Sequence, residues 1–311
     1  VARRKKGRAI DGVVLLDKPY GGSSNRALQK VRRLLNAQKA GHTGSLDPLA
    51  TGLLPICLGE ATKLSAYLLS ADKRYRVTAD LRFETATGDI EGEPTEYSQV
   101  NPPESQVLAD ILSRFVGDSA QIPPMYSALK VDGKPLYAYA RAGEYVERSP
   151  RPITVSECTL AAYEPARQTL TLDVAVSGGT YVRTLVEDIA RAWGGRAHVS
   201  ALRRTGVGSL VATNSMTSMA DIERDCGGPD AAAALPAWLR PVSTMLAGWP
   251  TVLLEASEAE RIGMGQTLGG YSSLADGAIC LKSPQGQIIG LGQHKPPNGL
   301  APLRLFSRPL D

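Results

Sequence analysis

One carboxylate in this chain has a setting suited to chemistry. Asp47 lies within Gly41-His42-Thr43-Gly44-Ser45-Leu46-Asp47-Pro48-Leu49-Ala50-Thr51-Gly52-Leu53-Leu54-Pro55, where glycines and prolines impose a tight, non-repetitive backbone path. A ligand can approach an anionic side chain closely in such a loop, and His42 stands just upstream with almost no other charge nearby. A plainer role is also open: Asp47 precedes Pro48 and can cap a short helix over 48–51. The residue types alone admit both.

Two further side chains occupy positions that call for a partner. From Arg74 to Arg82 the alternation predicts a strand with Tyr75, Val77, Ala79 and Leu81 on its inner face. Tyr75 then carries a hydroxyl inward, either as a satisfied core residue or as part of a site. Arg183 falls in the first turn of a helix, where a cation gains nothing from the helix dipole. It is either a solvated surface group or the answer to a nearby carboxylate.

The elements that must carry these residues are legible as patterns. Gly12-Val13-Val14-Leu15-Leu16 reads as a buried strand ended by Lys18-Pro19. After the Tyr20-Gly21-Gly22 turn, Ser23 or Ser24 can cap a helix whose Ala27, Leu28, Val31, Leu34 and Leu35 recur at helical spacing. A second helix is expected over 61–69. A third is expected over 104–115, with Val107, Leu108, Ile111, Leu112 and Phe115 in register. Asp132-Gly133 predicts a hairpin turn followed by a short helix over 135–142. Two strands are expected over 153–177. Gly178-Gly179 then breaks the chain, and Thr180 can cap an amphipathic helix with Val182, Leu185, Val186, Ile189, Ala190 and Trp193 as its stripe. Residues 213–248, including the alanine run at 231–234, look helical and then linker-like. Beyond Trp249-Pro250, short strands and glycine-rich turns take over.

Composition narrows the function classes. At 43% hydrophobic and 21% charged residues, an ordinary globular chain is expected. No apolar run approaches a membrane span and no signal-peptide pattern opens the sequence, so a cytoplasmic protein is expected. Cys57, Cys158, Cys226 and Cys280 have no close pair, and His42, His198 and His294 are isolated. No zinc spacing can be assembled, so a reduced, metal-free protein is expected. The net charge of +4 is concentrated in Arg3, Arg4, Lys5, Lys6 and Arg8; the rest holds thirty basic against thirty-one acidic residues. Binding to a polyanion therefore has to come from local patches. The basic stretch is either a solubilising tail or a nucleic-acid arm.

The Asp47 stretch resembles the signature of the TruB family, the bacterial tRNA pseudouridine-55 synthases. Other matches follow in family order: Leu16-Asp17-Lys18-Pro19, Gly59-Glu60-Ala61-Thr62-Lys63, Lys73-Arg74-Tyr75, Met125-Tyr126-Ser127-Ala128-Leu129-Lys130, Gly179-Thr180-Tyr181-Val182-Arg183-Thr184 and Leu202-Arg203-Arg204. In the loop Thr85-Ala86-Thr87-Gly88-Asp89, Ala86 stands where the family pattern has an acid. Arg261-Ile262-Gly263-Met264-Gly265-Gln266 and Ile288-Ile289-Gly290-Leu291-Gly292 more loosely resemble the PUA module, a small RNA-binding β-barrel.

The resemblance implies an α+β fold, with a mixed, mainly antiparallel sheet and flanking helices over 10–248. A basic tail over 1–9 precedes it, and a PUA-like barrel over 249–311 completes the chain. It also implies conversion of uridine 55 in the tRNA T loop to pseudouridine by a monomer, without cofactor or metal. Asp47, Tyr75 and Arg183 are the implied catalytic residues, with Arg183 lowering the Asp47 pKa. His42 is implied to replace the flipped base, and Leu202 to close the pocket. Lys18 and Tyr181 are implied to bind substrate. A non-catalytic RNA-binding or RNA-folding protein is the rival from another class. A glycosidase-like enzyme would want a second carboxylate flanking the bond.

Overall fold

A computed structural model of the chain describes residues 7–212, 216–227, 235–272, 274, 277–297 and 299–310. The basic run at Arg3, Arg4, Lys5 and Lys6 and the alanines at 231–234 lie outside the described residues.

The apolar runs build one large mixed sheet. Its order is Thr217–Ser218, Gly12–Lys18, Thr51–Leu58, His198–Val207, Lys73–Asp80, Thr169–Val176, Arg151–Glu164, Gly117–Gln121. Two of the pairings are parallel, Gly12–Lys18 with Thr217–Ser218 and Thr51–Leu58 with His198–Val207; the other pairings are antiparallel. Successive side chains of a strand point to opposite faces, so an unbroken apolar run implies that both faces are covered. In Gly12–Lys18, Val14 and Leu16 enter one core while Val13 and Leu15 enter the other. Thr51–Leu58 repeats this, with Leu54 and Ile56 on the first side and Leu53 and Cys57 on the second.

Helices cover the first face. Ser24–Leu34 brings Ala27, Leu28 and Val31; Ser105–Arg114 brings Leu108, Ile111 and Leu112; Val182–Arg191 brings Val182, Leu185, Val186, Ile189 and Ala190. Val107, expected in the second of these stripes, points outward instead and is exposed. The second face is covered by the short helix Ser65–Ser70, the turn Val242–Leu246, and a second sheet. That sheet is a curled half-barrel of five strands in the order Thr251–Leu253, Ala278–Lys282, Ile288–Lys295, Gly299–Leu310, Leu268–Gly269.

Three local expectations are corrected. Residues 48–51 form no helix: the Ala50 N–H closes a turn on the Asp47 carbonyl, and Thr51 already begins a strand. Thr180 does not cap the helix behind it. Its hydroxyl turns to Ser177 at 3.2 Å, and Tyr181 holds the cap position with no side-chain bond. Arg261-Ile262-Gly263, read as part of a glycine-spaced strand region, closes the helix Ala256–Gly263, which a reciprocal Glu255–Glu258 capping box starts. That box, visible as two glutamates three residues apart, was the overlooked signal.

Candidate active site

The loop between the Ala40–His42 and Thr51–Leu58 strands presents Asp47. It has little regular hydrogen bonding of its own, so other parts of the chain must satisfy its backbone. Three buried side chains do so. Ser24, left free because Ser23 caps its helix, accepts the Leu46 N–H at 2.7 Å and donates to the Leu46 carbonyl at 3.1 Å. The Lys18 ammonium donates to the carbonyls of Ala50 (2.8 Å), Pro19 (3.1 Å) and Pro48 (3.3 Å). The Arg204 guanidinium donates to Leu53 (2.7 Å), Gly44 (3.0 Å) and Ser45 (3.4 Å) carbonyls. Both cations are about 1% exposed. Gly52, at φ +95°, admits the neighbouring strand: a Cβ there would lie 2.3 Å from the Arg204 carbonyl oxygen.

Asp47 opens into a cleft of about 320 Å³ that is also lined by Tyr75, Tyr181, Arg183 and Leu202. The structure thus brings five of the seven anticipated residues to one cavity. Arg183, 5% exposed, places Nε 3.0 Å from Asp47 Oδ2. Its two terminal nitrogens each donate to a backbone carbonyl, Tyr126 at 2.8 Å and Thr87, and Asp89 stands 3.7 Å away. The guanidinium is therefore oriented from behind, with one edge turned to the cleft carboxylate. Tyr75 is half-buried, and its hydroxyl bonds to no described residue. Tyr181 is fixed through its backbone: its N–H donates to Gln121 Oε1 at 2.8 Å, and Gln121 Nε2 donates to its carbonyl at 3.1 Å. Leu202 contributes an apolar wall from the strand that also carries Arg204.

The other two anticipated residues do not line the cleft. His42 lies upstream, with Nδ1 accepting the Gly44 N–H at 3.3 Å. Lys18 is a brace for the backbone and not part of the cleft wall. Arg204, Ser24 and Asp89, named in the sequence only as parts of motifs or as a helix cap, turn out to support the site. The signal for Arg204 was a charged residue on the inward phase of a strand, where an arginine survives only if its donors are saturated.

Electrostatics differ from expectation at the centre. The protein packed around the loop pushes the Asp47 carboxyl above the usual aspartate value, although the side chain keeps 40% of its surface open to the cleft; Arg183 opposes this and Asp89 reinforces it. Desolvation thus outweighs the ion pair, the reverse of the expected lowering. Burial, with the charge of Arg204, holds His42 below the usual histidine range. Burial and Arg204 bring Lys73, on the cleft wall, down to about 8, with Asp72 opposing.

Chemically, the cleft offers one carboxylate with a fixed cation beside it, two aromatic rings (Tyr75 and Tyr181), an aliphatic wall, and Lys73 and Arg204 as further cations. Among the described residues Asp47 is the only acid lining it, and Asp89 is buried behind Arg183. A two-carboxylate hydrolysis has no second group here. No cluster of His, Cys, Asp and Glu among the described residues could hold a metal ion, and no helix among them is long and apolar enough to cross a membrane.

Comparison with known proteins places the chain in a family. Residues 32–182 match the TruB family pseudouridylate synthase N-terminal domain, and residues 183–247 the tRNA pseudouridylate synthase B C-terminal domain. The tRNA pseudouridine synthase B of Mannheimia succiniciproducens is 48% identical over 306 residues, covering 98% of each chain. That of Pseudomonas paraeruginosa is 48% identical over 301 residues, covering 96% of this chain and 97% of its own. Among solved structures, a chain of a Cbf5-Nop10-Gar1 complex matches with TM-score 0.72 at 23% identity, over 95% of this chain and 84% of its own. A chain of an H/ACA RNP bound to a substrate RNA containing 2'-deoxyuridine gives 0.71 at 20%, over 99% and 92%. At these identities the structural likeness concerns the fold.

Proposed function

This chain belongs to the TruB family of pseudouridylate synthases, and from that premise we propose that it isomerises uridine 55 in the T loop of tRNA to pseudouridine. The observation that carries the reading is Asp47, the one acid among the described residues lining the cleft, held 3.0 Å from an arginine whose two terminal nitrogens donate to backbone carbonyls.

The isomerisation breaks the bond from uracil N1 to ribose C1′ and forms one from C5 to C1′. A proton leaves C5 and one is taken up at N1, with no net oxidation. Asp47, kept anionic by Arg183, acts at the sugar–base junction, as nucleophile at C1′ or C6 or as the group that stabilises and deprotonates a dissociated intermediate. Tyr75 lies against the uracil ring and assists the loss of the C5 proton. Leu202 and Tyr181 retain the detached base while it turns. A stacked loop uridine costs a few kcal/mol to turn outward. His42 offsets this by stacking in the vacated place, a role suited to an imidazole that burial keeps neutral. Lys18 serves substrate binding indirectly, by shaping the loop.

Beyond the cleft, residues 130–148 offer cations laid over aromatic rings: Lys134 on Tyr139 at 4.0 Å, Arg148 on Tyr145 at 5.0 Å and Arg141 on Tyr137 at 5.5 Å. Such pairs suit an RNA-facing surface. We assign catalysis to residues 10–248, RNA contact to the PUA-like half-barrel and the basic tail, and action to a monomer in the cytoplasm.

The test uses an unmodified tRNA transcript tritiated at uridine C5. Wild type should release tritium, and Asp47→Asn should bind the tRNA without releasing it. Binding without release by wild type would instead favour an RNA-folding role. Release by both would remove Asp47 from the chemistry.

A further inference from the structure

An RNA strand whose uridine enters the cleft must continue on one side or the other, and the cleft has an open neighbour. A second hollow, of about 450 Å³, is lined by Arg151, Pro152, Gly178, Gly179 and Tyr181. It shares Gly179 and Tyr181 with the catalytic cleft, so the two are separated by a single wall. At its crest, Gly179 adopts φ +92°, and nothing lies within 4 Å of where a Cβ would stand. A sugar-phosphate can therefore pass over the backbone without meeting a side chain.

The far rim is cationic. Arg151 begins the strand Arg151–Glu164, and its backbone is paired with Gln121, the residue that clamps Tyr181. Its side chain is exposed and, among the described residues, enters no ion pair or hydrogen bond. Among the described residues no acid lines the hollow. Tyr181 supplies a half-buried ring at the wall, and Pro152 a rigid apolar flank.

We propose that this hollow binds the nucleotide adjacent to the target uridine in the same RNA strand. Its phosphate rests on Arg151 and its base packs against Tyr181 and Pro152. The inference rests on the proposed function, since it needs a uridine in the neighbouring cleft. A phosphate on an unpaired arginine contributes through counterion release, and an exposed base gains by stacking on an aromatic ring.

The experiment measures binding of a T-arm hairpin RNA to Asp47→Asn protein, with and without Arg151→Ala, across a salt series. Loss of one single-strand phosphate contact should flatten the slope of log Kd against log salt by about 0.7, and Arg151→Lys should restore it. A neutral methylphosphonate placed on either side of the target uridine tests the same contact from the RNA. At one of the two linkages it should weaken binding to the Arg151 protein about tenfold. At that same linkage it should do nothing further in Arg151→Ala. An unchanged salt slope, or additive losses at both linkages, would overturn the proposal. Tritium release by wild type on the same hairpin is measured alongside. Its absence would overturn the parent reading, whereas release with an unchanged slope would remove only the subsite.

Discussion

Arg183 ties together residues far apart in the chain: Asp47, Asp89 and the carbonyls of Thr87 and Tyr126. A lysine there could supply charge but not the planar fork, so Arg183→Lys should lose most of the turnover despite conserving charge. Arg183→Met should cost about 3–5 kcal/mol of stability in urea unfolding, because it removes the one cation that, among the described residues, pairs with buried Asp89. Adding Asp89→Asn should recover part of that loss; no recovery would mean that the arginine acts through packing alone. Asp47 permits a pH prediction. Its folded pKa is raised, mainly by burial. The carboxylate needed for chemistry is therefore lost, as pH falls, at a higher pH than an ordinary aspartate near 3.9 would give. The acid limb of kcat/KM should lie above that value. Both members of this pair were legible from the chain, through a strange loop and an oddly placed cation. Which influence wins on the carboxyl was not, because desolvation depends on what surrounds the loop in space.

At the scale of elements, the Val182–Arg191 helix serves the site with one face and bears a cost on another. Glu187, 16% exposed at its side chain, presses against the Gly88 backbone: a Cβ on Gly88 would lie 2.7 Å from its Oε1. Burial raises Glu187 to about 7; Arg191 opposes this, while Glu84 and Asp188 add to it. An acid with a raised folded pKa holds its proton longer in the native state than in the unfolded chain. Stability should therefore fall as pH rises from about 4.5, the unfolded value, to about 7, the folded one. Glu187→Gln should be more stable than wild type at pH 8, by on the order of 1–3 kcal/mol, and indistinguishable from it near pH 4. Equal effects at both pH values would assign the change to packing. Gly52 marks another constraint between elements. Gly52→Ala would place its Cβ 2.3 Å from the Arg204 carbonyl at a φ of +95°, so a loss of several kcal/mol in thermal or urea unfolding is expected. Periodicity exposed the Val182–Arg191 helix and the Lys73–Asp80 strand, because apolar spacing follows directly from packing one face, but not the Thr51–Leu58 and His198–Val207 strands that meet at Gly52. It did not expose Lys18 and Arg204 as the loop's supports. Their partners are backbone carbonyls of an irregular segment, and carbonyls leave no mark in the residue types. The false helix over 48–51 has the same origin: Asp-Pro is compatible with a cap or a turn, and the tertiary braces select the turn.

Across the whole molecule, the half-barrel reads in the sequence as an appendage but packs as part of the core. Cys280, Ile288, Leu291 and Leu310 join Val13, Leu15, Leu53, Cys57, Leu64 and Leu68 in one buried cluster against the large sheet. Polar links also cross the seam. Arg308 pairs with Asp11, the Ser307 N–H donates to Glu60 at 2.7 Å, and Lys63 donates to the Leu305 carbonyl at 2.9 Å. Magnitudes decide which matters more. The Arg308 side chain is 53% exposed, and an exposed ion pair contributes about 0–1 kcal/mol. Truncating one fully buried leucine costs about 2–5 kcal/mol, and Leu291 is 0% exposed. Leu291→Ala should therefore lower the melting temperature clearly, whereas Arg308→Ala should leave it nearly unchanged. The seam also couples the two sheets. Losing the half-barrel would uncover Val13, Leu15 and Cys57 of the central strands, so neither sheet can melt without exposing the other's core. Calorimetry of the full chain should show one cooperative transition, and Leu291→Ala should lower it as a unit. Two resolved transitions, with only the first shifted by Leu291→Ala, would mean that the half-barrel can leave while the catalytic sheet stands. The chain 1–248 should then fold on its own; on the packing described here, it should aggregate.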